Sequence, residues 1–220
     1  MSATNDSITV TPGTGATVAT HSPGDGKEYQ VVMLADSTGE LLDGQPRYRL
    51  IVPSQAVGAN KVYFDMWLDA TAGAGKVLRV LSVFCYPDID TAVTGVVAAE
   101  AILTRTTAIG TGGTAATFDG SSTTAITISA MDTANTSLSA MVSARSAPTG
   151  GATGGAYMGS RWVFTEETNA GAALAGAVGA DLIRNEGSDL IIRPGQGIRG
   201  LQGTVASVGS LSWEVNFELS

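Results

Sequence analysis

Leu211-Ser-Trp-Glu-Val-Asn-Phe-Glu-Leu219 decides the fold. A strand turns successive side chains to opposite faces. Here Leu211, Trp213, Val215, Phe217 and Leu219 fall on one face, and Ser212, Glu214, Asn216 and Glu218 on the other. That alternation describes a half-buried antiparallel strand. Its bulky inner face predicts a central place in a sheet.

Outward from this strand the same signals recur. Asp189-Leu-Ile-Ile-Arg193 is a strand, followed by the tight turn Pro194-Gly-Gln-Gly197. Arg161-Trp-Val-Phe-Thr165 is a strand with Trp162 and Phe164 on one face. Lys76 to Tyr86 makes a long strand that Pro87 ends, and Ala72-Gly-Ala-Gly75 before it reads as a hairpin loop. Lys61 to Asp69 carries Val62, Phe64, Met66 and Leu68 on one face and Tyr63, Asp65, Trp67 and Asp69 on the other, the pattern of a strand covered on both sides. Tyr29 to Leu34, Arg47 to Val52 and Ala125 to Ser129 are further strands. Val96 to Arg105 reads as a strand on its threonines, and Leu138 to Ala144 as a strand or a short helix. Ala170 to Ala180, almost all Ala and Gly, fits a short helix or a packed loop. About eight to ten strand candidates separated by turn signals predict an all-β chain folded as an antiparallel β-sandwich or barrel.

Residues 1 to 27 differ in texture. Thr11-Pro-Gly-Thr-Gly-Ala-Thr17 and His21-Ser-Pro-Gly-Asp-Gly26 are rich in turn formers and hold no apolar period. They predict an extended N-terminal arm, with the sandwich over 28–220. Residues 29–52 suit either part.

Composition excludes several functions. The chain has 220 residues, enough for one domain with a sizeable core. Its 12 basic residues against 20 acidic ones give a net charge of −8, which argues against a nucleic-acid surface. No apolar run approaches the length of a membrane-spanning helix. The start of the sequence lacks a basic segment followed by an apolar one, so a reducing cytoplasmic origin is expected.

The residues that carry chemistry are few. Cys85 is the one cysteine and lies in the apolar run Val83-Phe84-Cys85-Tyr86, the setting of a buried, unreactive thiol. His21 is the one histidine and sits in the arm, where no rigid triad can be built. One His and one Cys cannot furnish a zinc site. Asp88 and Asp90 flank a strand end and suit turn capping around Pro87; no calcium loop surrounds them. Asp65 and Asp69 share a face but stand far apart along it. Glu166 and Glu167 are adjacent and therefore point to opposite faces. Gly73-Ala-Gly75-Lys76 is followed by Val77, which breaks the phosphate-loop spacing, and the run from Gly150 to Gly155 leads into no convincing helix. Asn5 and Asn135 match the glycosylation pattern, which has no meaning without a secretory route. The expectation is no catalytic, cofactor-binding or metal-binding residue.

What remains is surface. Residues 146–180 carry Arg161, Glu166 and Glu167 as their charges, and Pro148 to Gly155 is a low-complexity loop. Such a region suits either a flexible loop or a subunit contact where backbones approach closely. Arg79, Arg105, Arg193 and Arg199 lie in or beside strands and are candidates for interchain ion pairs.

Three stretches resemble the small structural proteins of tailed-bacteriophage virions. They are Val18-Ala-Thr20 with Tyr29-Gln-Val-Val32; Lys76-Val-Leu-Arg-Val-Leu-Ser-Val83 leading through Thr94-Gly-Val96 to Leu103-Thr-Arg105; and Leu190-Ile-Ile-Arg-Pro-Gly-Gln-Gly-Ile198 with the Trp213 strand. The resemblance implies a virion β-sandwich, jelly-roll-like and trimeric. Within that class the expected role is a non-enzymatic decoration (cement) protein, assembled in the host cytoplasm, that binds the major capsid protein on the outer capsid surface as a homo-oligomer. The alternative is a tail, neck or fibre component that binds a host receptor through exposed aromatics such as Tyr157 or Trp67. Neither role calls for nucleic acid, a membrane or a cofactor.

Overall fold

In a computed structural model of the chain, the structure describes residues 18–21, 29–32, 45–88, 95–120, 124–151, 157–167, 176–183, 190–205 and 208–220. The chain divides into two compact units, Met1–Gln45 and Pro46–Ser220. In the first, β1 (Val18–His21) pairs antiparallel with β2 (Tyr29–Val32), with Val18 opposite Val32 and His21 opposite Tyr29.

The second unit is an all-β sandwich. Its longer strands are β3 (Arg47–Ala56), β4 (Val62–Leu68), β5 (Leu78–Asp88) and β6 (Gly95–Thr106). Short strands follow: β7 (Thr114–Ala115), β8 (Thr117–Phe118), β9 (Thr127–Ala130) and β10 (Val142–Ser146). The chain continues through β11 (Tyr157–Glu167), β12 (Gly176–Val178), β13 (Ala180–Asp181) and β14 (Leu190–Ile192). It finishes with β15 (Gln196–Gln202) and β16 (Ser210–Leu219). Among the described residues one sheet runs β12-β11-β6-β15-β4-β10-β7. The other runs β13-β5-β16-β3-β9-β8, with β14 also on β5. Pairing is antiparallel throughout except for β8 beside β9. As its alternation predicts, β16 is central, between β5 and β3.

The inner faces make one core. From the β16 sheet come Tyr48, Leu50, Val52, Leu78, Val80, Val83, Trp213, Val215 and Phe217; from the other come Phe64, Met66, Leu68, Leu103, Val163 and Ile198. Trp213 joins the sheets. Its ring lies 5.7 Å from that of Tyr63 and 5.6 Å from that of Phe64. Adjacent residues of a regular strand cannot both face inward. They do so here because the β4–β15 register slips between Gly200 and Leu201, which leaves Tyr63 as the extra residue of a bulge.

Three expectations change. Ala72-Gly-Ala-Gly75 is not a hairpin loop, because β4 and β5 lie in different sheets. It is a tight crossover: the Asp69 carboxylate accepts from the backbone N–H groups of Thr71 and Ala72, both at 2.8 Å. Those two donors hold the Asp69 carboxyl below its usual range. Leu138 to Ala144 is neither wholly strand nor helix; Leu138 and Met141 frame a turn, and β10 starts at Val142. Glu218 faces outward as its alternation predicts, yet it is buried, because its cross-strand neighbours Arg47 (2.9 Å) and Arg79 (3.6 Å) meet over its carboxylate. Of Ala170 to Ala180, the last residues form β12 and the start of β13; 170–175 lie outside the described residues.

Trp213→Ala is expected to destabilise the sandwich by about 3–5 kcal/mol, since it removes the ring that both sheets pack on. Urea unfolding followed by far-ultraviolet circular dichroism reads that change.

Candidate functional site

The outer face of the β4 sheet holds an unexpected charged centre. Asp65 points away from the sandwich core, yet it is 1% exposed, and so is Arg199 beside it on β15. Register makes the row Thr104, Arg199, Asp65, Arg145 across four strands. Arg199 Nε donates to Asp65 Oδ1 at 2.5 Å and Nη2 donates to Oδ2 at 2.8 Å, a bidentate pair.

Two loops cover it. The Gly110 N–H donates to Asp65 Oδ2 at 2.8 Å, and Arg199 Nη2 donates to the Gly150 carbonyl at 3.1 Å. The loops are joined by a bridge in which Thr111 N donates to the Thr149 carbonyl and Thr149 N to that of Thr111. Gly151 has φ +93°, and a Cβ there would come within 2.5 Å of Arg199 Nη2. Only glycine therefore lets the strap close over the guanidinium. The start of the Gly-rich run 148–155 is thus a built strap; 152–155 lie outside the described residues. Arg199, expected to reach another chain, is spent within its own, because β15 lies against β4.

The outer face of the β16 sheet carries a polar ladder. Arg49 Nε donates to Asn216 Oδ1 at 3.0 Å and lies 3.4 Å from Glu214 Oε1. Asn216 Nδ2 donates to Ser82 Oγ at 3.0 Å and to Glu214 Oε1 at 2.8 Å. Beside the ladder the rings of Phe84 and Tyr86 stack at 5.8 Å. These pairs are partly exposed, and such pairs contribute little to stability.

The other candidates do not converge. Cys85 is fully buried opposite Trp213, and burial pushes its thiol far above the usual range. Asp88 ends β5 opposite Ser210; its side chain, and the whole of Asp90, lie outside the described residues. Glu166 and Glu167 sit opposite Val96 and Gly95 on β11, His21 sits on β1 and Tyr157 opens β11, all with side chains outside the described residues. Lys76 follows the crossover turn, and Arg193 is exposed next to the β14–β15 turn. Arg105 Nη1 donates to the Ile191 carbonyl at 2.9 Å. Trp67 is not at a loop tip: it is half-buried within β4, one residue from its end, its ring over Gly197, where a Cβ would meet it at 2.8 Å. The exposed indole is Trp162, 53% accessible, on β11. Among the described residues no three His, Cys, Asp or Glu side chains gather as metal ligands.

Sequence reading missed the Asp65–Arg199 pair. A signal was present: each is a lone charge inside an otherwise apolar or glycine-flanked strand, Val62–Leu68 and Gly197–Gly200.

Comparison with protein-family models, with curated proteins and with solved structures finds no match to this chain.

Breaking a buried pair from one side leaves an uncompensated charge. Arg199→Met is therefore expected to cost about 3–5 kcal/mol, while the double variant Asp65→Leu/Arg199→Met recovers much of that loss. Chemical denaturation of the two variants measures the difference. Cys85 is expected to resist alkylation in the native protein and to react fully in denaturant, as a thiol count under both conditions would read.

Proposed function

We propose that this chain is a non-enzymatic virion structural protein that decorates the outer capsid surface and stabilises the shell. The observation that carries the proposal is strand order. Eight of the strands fall into two interleaved runs, β3-β16-β5-β14 and β4-β15-β6-β11. Two interleaved four-stranded sheets of this kind suit a jelly roll, the winding used by many capsid domains. The Gly-, Ala- and Thr-rich texture and the resemblance of the three stretches to tailed-phage virion proteins point the same way.

On this reading, copies associate as a closed symmetric oligomer, a trimer, over the major capsid protein. The polar arm, residues 1–27, gains main-chain hydrogen bonds by adding to a sheet edge on the shell or on a neighbouring copy. Many weak contacts engaged at once multiply through avidity. A second reading, a tail, neck or fibre component that binds a host receptor, is favoured by exposed Trp162 on β11.

Immunogold labelling of particles separates the two. Label spread over icosahedral heads supports decoration; label at one vertex or on the tail supports the second reading; particles without label overturn both. Deleting residues 1–27 is expected to leave a folded sandwich that no longer co-sediments with shells. A truncated chain that binds shells as the full chain does would overturn the arm's role.

A further inference from the structure

Trp162 is the most exposed described tryptophan, and its surroundings are chemically specific. On β11 it lies directly opposite Glu100 of β6. Its neighbours in both strands, Val163 and Ala99, are fully buried, so Trp162 and Glu100 share the outer face of the sheet. Facing cross-strand side chains stand about 5 Å apart at Cβ. Beyond Glu100 comes Gly203, whose N–H donates to the Glu100 carbonyl at 2.8 Å. A Cβ on Gly203 would run into the Glu100 carboxylate. The missing side chain makes room for that carboxylate, which stays partly exposed. Asn60 borders the same place, its N–H on the Gly203 carbonyl at 2.9 Å, and it is exposed, as is Thr204. Among the described residues the Glu100 carboxylate makes no hydrogen bond or ion pair.

This is a flat aromatic wall next to a free acceptor, with an amide and a hydroxyl at the far edge. The face of an indole is electron-rich and favours weakly positive C–H groups laid against it. A pyranose ring offers such C–H groups on its face and hydroxyl donors on its rim. The carboxylate accepts from hydroxyls and donates nothing when ionised. A protein of net charge −8 repels anionic sugars at long range.

We propose that Trp162 and Glu100 form a binding site for neutral oligosaccharides of hexopyranose units, with the sugar face on the indole and a hydroxyl donating to the carboxylate. The site stands independently of where the chain sits on a particle. Failure of sugar binding leaves the labelling result untouched, and the reverse also holds.

The test is saturation-transfer NMR on the full chain with cellohexaose, maltohexaose and the fully N-acetylated chitohexaose at millimolar concentration, all neutral. The expected result is transfer to at least one of them, strongest at axial C–H protons. Trp162→Ala abolishes it, and Glu100→Gln weakens binding about tenfold, the loss of one charge-assisted hydrogen bond. Both positions lie on the outer face, and matching circular dichroism spectra establish that the variants fold. No transfer from any of the three sugars overturns the proposal. So does transfer that persists in Trp162→Ala. Loss of self-association in Trp162→Ala, measured by light scattering and without sugar binding, assigns the indole to a contact between copies and likewise overturns it.

Discussion

The contact between Trp213 and the two adjacent rings of Tyr63 and Phe64 is the interaction on which the rest depends. A sandwich of two sheets without helices has one shared layer to bury, and that layer must be filled by strands whose alternation is right. Strand β16 brings the largest inward side chain from its central position. Opposite it, β4 has to present more aromatic surface than one regular strand position supplies. The bulge at Tyr63 solves this by turning two consecutive residues inward.

That solution has polar consequences. Turned inward, the Tyr63 hydroxyl is buried and needs a partner. It donates to Gln202 Oε1 at 2.8 Å, and the burial moves its titration well above the ordinary range. Gln202 is then held from both ends: its Oε1 also accepts from the Gly58 N–H at 2.9 Å and its Nε2 donates to the Val205 carbonyl at 2.9 Å. One core ring thus fixes the 202–205 segment, and with it the backbone of Gly203 beside Glu100. The outer face near Trp162 is shaped from the inside, through Trp213, Tyr63 and Gln202 in turn.

Much of this was legible. The alternation of 211–219 predicts β16 and its central place, and the two apolar faces of 61–69 predict a strand covered on both sides. The cover on the outer side turned out to be loops, because Asp65 sits there and draws Gly110 and Arg199 onto itself. What stayed hidden depends on pairing between distant residues. Asp65 and Arg199 are 134 positions apart, and nothing local in either segment names the other. The crossover at 69–76 was misread for the same reason. Its composition suits any tight turn, and only the sheet to which each flanking strand belongs separates a hairpin from a crossover. Trp162 was placed correctly on a strand, but its exposure follows from what lies across the sheet, which periodicity does not contain.

The glycines make the same point from the other side. As composition, 28 glycines read as loops and close subunit contacts. In and beside β15 they serve a different end. A Cβ on Gly197 would strike the Trp67 ring, one on Gly200 the Phe64 ring, and one on Gly203 the Glu100 carboxylate. Spaced three apart on a strand that alternates by two, they alternate faces. Each is a socket for a large side chain of a neighbouring strand, two of them aromatic. A strand poor in side chains lets its neighbours carry large ones, and the bulky residues of β4 and β6 are sited by what β15 lacks. Small-residue texture in this chain is therefore partly a packing device, and the room that Gly203 leaves for the Glu100 carboxylate is where the packing and the proposed binding chemistry meet.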